Sequence, residues 1–160
     1  MRISRTLRAT VLLRTVALVR IPMVAFLRPR VVQYDDEKVV VCIPLSRRVR
    51  NHVGTMYVGA LCSGADCAGG LMAMDLAWKR GNKVKVLFKD MKAEFLQRPD
   101  GDVHFRCEDG RAIEALMQRA QDTGERCEGP ITVVATVPSK SEDKPVARFV
   151  MTLSAKRAKG

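Results

Sequence analysis

Asn51-His52-Val53-Gly54-Thr55-Met56-Tyr57-Val58-Gly59-Ala60 runs into an apolar stretch, Leu61 to Trp78, and this segment decides how the chain is read. Leu61 to Trp78 is apolar nearly all round and long enough for a buried helix of about five turns. Its composition is unusual for a helix. Gly59, Gly64, Gly69 and Gly70 together cost roughly 4 kcal/mol against alanine, which tertiary packing has to offset. With Ala60, Ser63, Ala65 and Ala68 beside them, these small residues predict a central helix tightly enclosed by a curved sheet. Asp66 is the only charged residue between Arg50 and Asp75. An unpaired carboxylate in such a helix costs several kcal/mol, so it is hydrogen-bonded, neutral, or solvated in a pocket. Either it is a structural Asp satisfied by backbone or arginine, or desolvation raises its pKa toward the range of a general base.

The flanking sequence supplies the sheet. Lys38 to Pro44 is short and β-branched and reads as a strand closed by proline. Lys83 to Leu96 alternates, interrupted at Asp90-Met91, and Asp102 to Cys107 alternates again. With Pro99-Asp100-Gly101 between them, these two predict a hairpin. Ile113, Leu116, Met117 and Ala120 predict a short amphipathic helix ending near Gly124. Ile131 to Val137 and Val146 to Leu153 are two further strands joined by a polar loop. The expected class is α+β, a long central helix wrapped by an antiparallel sheet, with an N-terminal helix and a short helical insertion.

The N-terminal stretch is rich in arginine and free of acid. Arg14 and Arg20 break its apolar runs and Pro22 interrupts the helix, so it is too short to span a bilayer. It has no apolar core with a small-residue cleavage site, which argues against secretion. A transit peptide, a helix packed on the domain, and an amphipathic helix on anionic lipid all fit this composition. Leu7, Val11 and Leu18 share one helical face, with Arg14 on it too. We divide the chain into an N-terminal helical segment at 1–27, a single domain at 28–157 and a tail at 158–160.

The net charge of +11 over 160 residues is unevenly spread. Seven arginines precede residue 34, and Lys156, Arg157 and Lys159 close the chain, while 31–155 holds 18 basic and 17 acidic residues. Aromatics are 5% of the chain, and Phe88, Phe95, Phe105 and Phe149 fall in predicted strands, which argues against a nucleic-acid partner. Five cysteines without CxxC spacing predict reduced thiols in the cytoplasm. With two histidines and no ligand spacing, neither metal nor cofactor is expected.

The order of elements resembles the hot-dog fold, and the segment quoted first carries the resemblance further. Hot-dog thioesterases of the phenylacetyl-CoA type have Asn-x-x-Gly-Thr-x-His-Gly-Gly, a short gap, and Leu-Ala-Asp. Here Asn51, Gly54, Thr55, Tyr57, Val58 and Gly59 are followed by the four residues Ala60 to Ser63 and then Gly64-Ala65-Asp66, the same spacing; Tyr57-Val58 replaces His-Gly. Pro44-Leu45, Arg50-Asn51-His52, Gly69-Gly70 and Ser154-Ala155-Lys156 look like a thioesterase-like branch named only as a domain of unknown function. The resemblance implies hydrolysis of an acyl-CoA or acyl-carrier thioester. Asp66 would be base or nucleophile, Asn51 would orient water or carbonyl, and the Val58 or Gly59 amide would hold the oxyanion. In the family these groups meet across a dimer interface, which implies a homodimer or a homotetramer built from it. Gly54, Thr55 and Tyr57 would line the substrate site, and Arg47, Arg48 and Arg50 would meet the phosphates of coenzyme A. Two rival readings are a non-catalytic acyl-binding module and an enoyl-CoA hydratase using His52.

Overall fold

A computed structural model of the chain describes residues 5–79, 81 and 83–158. Expectations resting on Arg2, Asn82 and Lys159 lie outside the described residues. Helix α1 (Arg5–Arg20) ends just before Pro22, whose fixed φ suits the first position of α2 (Pro22–Leu27). Strands β1 (Arg30–Tyr34) and β2 (Val39–Ile43) pair antiparallel around a turn that Asp35 holds by accepting from the Glu37 and Lys38 amides. The central helix α3 (Val58–Lys79) is followed by β3 (Val84–Phe95), β4 (Val103–Cys107), α4 (Gly110–Thr123), β5 (Cys127–Val137) and β6 (Ser141–Arg157).

The six strands form one antiparallel sheet in the order β1-β2-β4-β5-β6-β3. It curves round α3, whose contact face carries the small residues. A Cβ on Gly64 would overlap the Phe105 ring, and one on Gly69 would lie 2.6 Å from Ile131 Cδ1, so glycine is what lets helix and sheet touch. Phe105, Phe149, Ile131, Met151 and Met72 fill the space between them. Helix α4 buries Ile113, Leu116, Met117 and Ala120, and Gly124 closes it in a left-handed conformation with its amide on the Ala120 carbonyl, as the spacing predicts.

Two expectations are corrected, and the open question of where the N-terminal helix lies is narrowed. First, β3 and β4 are not a hairpin: β3 pairs with β6 from Val84↔Arg157 to Phe95↔Ala147, and β4 lies between β2 and β5. The turn residues are real, but their hydrogen bonds go elsewhere. Pro99 accepts from the Met56 amide, and the Leu96 and Gln97 amides turn back to Val146, so the segment carries the chain across the sheet. As to the N-terminal helix, α1 packs through Ala9, Leu13 and Ala17, while Leu7, Val11 and Leu18 face solvent. Small side chains let α1 approach the domain, and the face with the larger ones is left outside. Second, the break in β3 is a bulge at Lys89, one residue before Asp90-Met91.

Candidate functional site

Asp66 lies in the third turn of α3, half-buried, where Gly64 and Ala65 on one side and Cys67 and Ala68 on the other point into the packed core. Every fourth residue from it, Gly70, Met74 and Trp78, falls along the same row of the helix. That row forms one wall of a cavity of about 280 Å³. The opposite wall is the α1 row Ala9, Leu12, Leu13 and Val16, and Ile21 and Val24 close one end. A Cβ on Gly70 would meet nothing nearer than Phe88, at 3.9 Å, so this glycine leaves open space where Gly64 and Gly69 make contact.

Two carboxylates of α3 reach the cavity, and their surroundings differ. Asp75 is paired with Lys79 at 2.9 Å, and Lys79 also reaches Asp36 at 2.6 Å. Among the described residues Asp66 has no hydrogen-bond or ion-pair partner, and burial alone pushes its carboxyl above the usual carboxylate range. Burial, with the Asp66 charge adding to it, pushes the neighbouring Cys67 thiol up to about 12. The structural alternative, an Asp satisfied by backbone or arginine, is therefore not what these residues form.

Asn51 is placed differently. Its Oδ1 accepts from the Val53 and Thr55 amides, both at 3.1 Å, and its Nδ2 donates to Thr55 Oγ1 at 2.9 Å. Gly54, at φ +83°, makes the turn in a conformation that a side chain would strain. Asn51 and Thr55 thus hold the 51–55 loop together, and one Nδ2 hydrogen of Asn51 is left to point outward. The Tyr57 carbonyl accepts from the Ala60 and Leu61 amides and so begins α3. The Val58 and Gly59 amides, one turn too early for an acceptor within the helix, are donors at its positive end. The Tyr57 ring lies against Gly59, where a Cβ would come within 2.5 Å of it.

Within one chain these groups do not converge. Val58 stands eight residues before Asp66, roughly 12 Å along the axis. Neither Asn51, Gly54, Thr55, Tyr57, Val58 nor Gly59 lines the Asp66 cavity. Arg47 and Arg50 are exposed, and Arg48 sits 5.2 Å over the Phe26 ring, tying the loop to α2. His52 is exposed in the same loop and forms no ion pair with a carboxylate among the described residues. No group of three or more His, Cys, Asp or Glu among the described residues gathers into a metal site.

A family model described as a domain of unknown function, DUF4442, matches residues 9–154. The chain belongs to the DUF4442 family. Among curated proteins, none matches this DUF4442 chain in sequence. Its solved structural neighbours include a Chlorobaculum tepidum protein of unknown function, 14% identical with a TM-score of 0.80 over 94% of this chain and 96% of that one. A provisionally named thioesterase from Shewanella oneidensis is 14% identical, with a TM-score of 0.75 over 93% of this chain and 98% of that one. A mutant of a thioesterase from Pseudomonas aeruginosa is 14% identical, with a TM-score of 0.68 over 93% and 94%. The DUF4442 chain has the hot-dog fold, and its N-terminal helices form one wall of the cavity.

That wall is what sequence reasoning missed. Ala9, Leu12, Leu13 and Val16 stand at i, i+3, i+4 and i+7, the helical signature of a packed face, but the larger exposed residues mask it. On α3 of the DUF4442 chain, Leu71 and Met74 line the cavity while Met72 and Leu76 belong to the core, a division that residue types alone do not make.

Proposed function

We propose that this DUF4442 chain hydrolyses an acyl thioester, with Asp66 as general base or nucleophile. One observation carries the reading: a half-buried carboxylate without a partner among the described residues opens onto an apolar cavity of about 280 Å³. The apolar walls suit an acyl chain, and desolvation suits a carboxylate that must take a proton. In the base form of the reaction, Asp66 takes a proton from water as the water oxygen attacks the thioester carbon. The carbonyl oxygen gains the electron pair and is met by amide donors; the carbon–sulfur bond then breaks, and the thiolate leaves and is protonated.

The donors are supplied by a second copy. Asn51, through its remaining Nδ2 hydrogen, and the Val58 and Gly59 amides would face Asp66 of the partner subunit, since one chain keeps them apart. Strand β3 supports such a pairing: it is an edge of the sheet, twelve residues long, with Met91 and Phe95 exposed beside it. In this reading Arg47 and Arg50 would meet coenzyme A phosphates, while Arg48 stacks over Phe26. We assign the chain to the cytoplasm, in keeping with its free thiols.

The test is thiol release from a panel of acyl-CoAs differing in chain length. The wild type is expected to turn over at least one of them, and Asp66→Asn to lower kcat by about 10²- to 10⁴-fold while remaining folded. A folded Asp66→Asn chain with wild-type turnover sinks the mechanism. Binding without thiol release by the wild type replaces it with the acyl-binding module.

A further inference from the structure

The face that α1 turns away from the domain is apolar. Leu7, Val11 and Leu18 lie within about 40° of one another around the helix and are 54%, 57% and 70% exposed. Because Ala9, Leu13 and Ala17 on the opposite side already anchor the helix, these three are not needed to hold it in place. Around the Pro22 break, Val19, Met23 and Phe26 are also more than half exposed. Such a run of exposed large apolar side chains on consecutive elements marks a surface built to be covered.

Charge says by what. From residue 5 to residue 34 there are six arginines and no aspartate or glutamate; the first acid is Asp35. Arg14 donates to the Pro29 carbonyl, Arg30 pairs with Asp102 and Arg8 lines the Asp66 cavity, while Arg20 and Arg28 are exposed among the apolar residues. A second copy of the same surface would set arginines against arginines with no acid between them. An anionic phospholipid bilayer offers both complements, acyl chains for the apolar side chains and negative headgroups for the guanidinium groups. No helix among the described residues is long and apolar enough to cross a membrane, so the contact is with the surface.

We propose that α1 and α2 form a docking surface for anionic lipid bilayers, lying in the interface with Val11, Leu18 and Met23 in the acyl boundary and Arg20 and Arg28 among the headgroups. This concerns a face of the chain separate from Asp66, and vesicle binding is measured without any thioester. Its failure and that of the hydrolase reading are therefore distinguishable.

The experiment is co-sedimentation of the full chain with phosphatidylcholine vesicles, with and without phosphatidylglycerol, at low and high salt. The wild type is expected to pellet with the phosphatidylglycerol vesicles, less so at high salt, and to remain in solution with phosphatidylcholine alone. The double substitution Val11→Glu with Leu18→Glu is expected to weaken partitioning on the order of a hundredfold. Arg20→Gln is expected to weaken it about fivefold. None of these three residues lines the cavity, and circular dichroism with gel filtration verifies that the variants keep the wild-type fold. A wild type that stays in solution with phosphatidylglycerol vesicles at low salt overturns the proposal. So does a Val11→Glu, Leu18→Glu chain that pellets as the wild type does. If the wild type ignores vesicles and the double substitution converts a larger species into a smaller one, the face is a subunit contact and the proposal fails.

Discussion

Asp66→Asn preserves the shape of the side chain and removes its charge, so it isolates the cost of burying a carboxylate. In the folded chain burial raises the Asp66 carboxyl above its ordinary value of 3.8. The native state therefore binds that proton more tightly than the unfolded chain does. Stability from this group is complete below 3.8, falls as pH rises toward the folded value, and is gone above it. At neutral pH the native chain bears an ionised carboxylate that no described residue partners. Its oxygens are not sealed from solvent, so the cost of leaving this half-buried carboxylate without a protein partner is up to about 1 kcal/mol. For a chain of this length each kcal/mol moves Tm by roughly 2 to 4 °C. Asp66→Asn is accordingly expected to melt up to about 4 °C above the wild type at neutral pH. The gap should close as the pH is lowered below the ordinary carboxylate range, where aspartic acid and asparagine are both neutral. Calorimetry of both proteins across that range measures it. A mutant that melts below the wild type at neutral pH refutes the reasoning, because it means the carboxylate has a stabilising partner.

The central helix offers a paired comparison. Gly64→Ala forces a methyl group into the Phe105 ring and is expected to cost about 1 to 3 kcal/mol, whereas Gly70→Ala enters open space and gains up to about 1 kcal/mol of helix propensity; thermal melts that rank the two the other way would reverse the assignment of core and cavity sides. Burial holds the thiols of Cys67 and Cys107 up to about 12 and about 11, so iodoacetamide at mildly alkaline pH is expected to label the half-buried Cys62 well before either. Early mass-mapped labelling of Cys67 would contradict this. If the β3 edges of two copies pair, gel filtration gives a dimer, and Met91→Glu with Phe95→Glu gives a monomer that has lost hydrolysis; an active wild-type monomer would rule out the two-chain site.

The central helix was legible because its glycines and alanines explain themselves only against a neighbour, and Gly64 and Gly69 have that neighbour in Phe105 and Ile131. The β5–β6 hairpin was legible because its strands adjoin in sequence. The partner of β3 was not, because local alternation fixes which face is buried and says nothing about which strand lies alongside. An interruption of β3, by contrast, was legible in the sequence: its apolar residues are even-numbered at Val84, Val86 and Phe88 and odd-numbered at Met91, Ala93 and Phe95. That change of parity requires one extra residue, and Lys89 is that residue. At the site, Asp66 stood out as a lone charge in an apolar helix. The role of Asn51 inside its own loop was hidden, since Asx hydrogen bonds depend on backbone angles that residue types alone do not specify. The cavity wall from α1 was obscured for a simpler reason: α1 carries large apolar residues on its outer face as well, so Leu12, Leu13 and Val16 do not stand out as the packed side.

The hydrogen bonds that Asn51 makes to Val53 and Thr55 have a consequence for assembly. They close entirely within one chain, so the loop has its working shape before any partner or ligand arrives. A loop that is already rigid loses little conformational freedom on being covered, and association then incurs mainly the translational and rotational cost of bringing bodies together. If two copies build the proposed site, dilution would accordingly separate them without unravelling the loop, and each would carry away its own half of it intact.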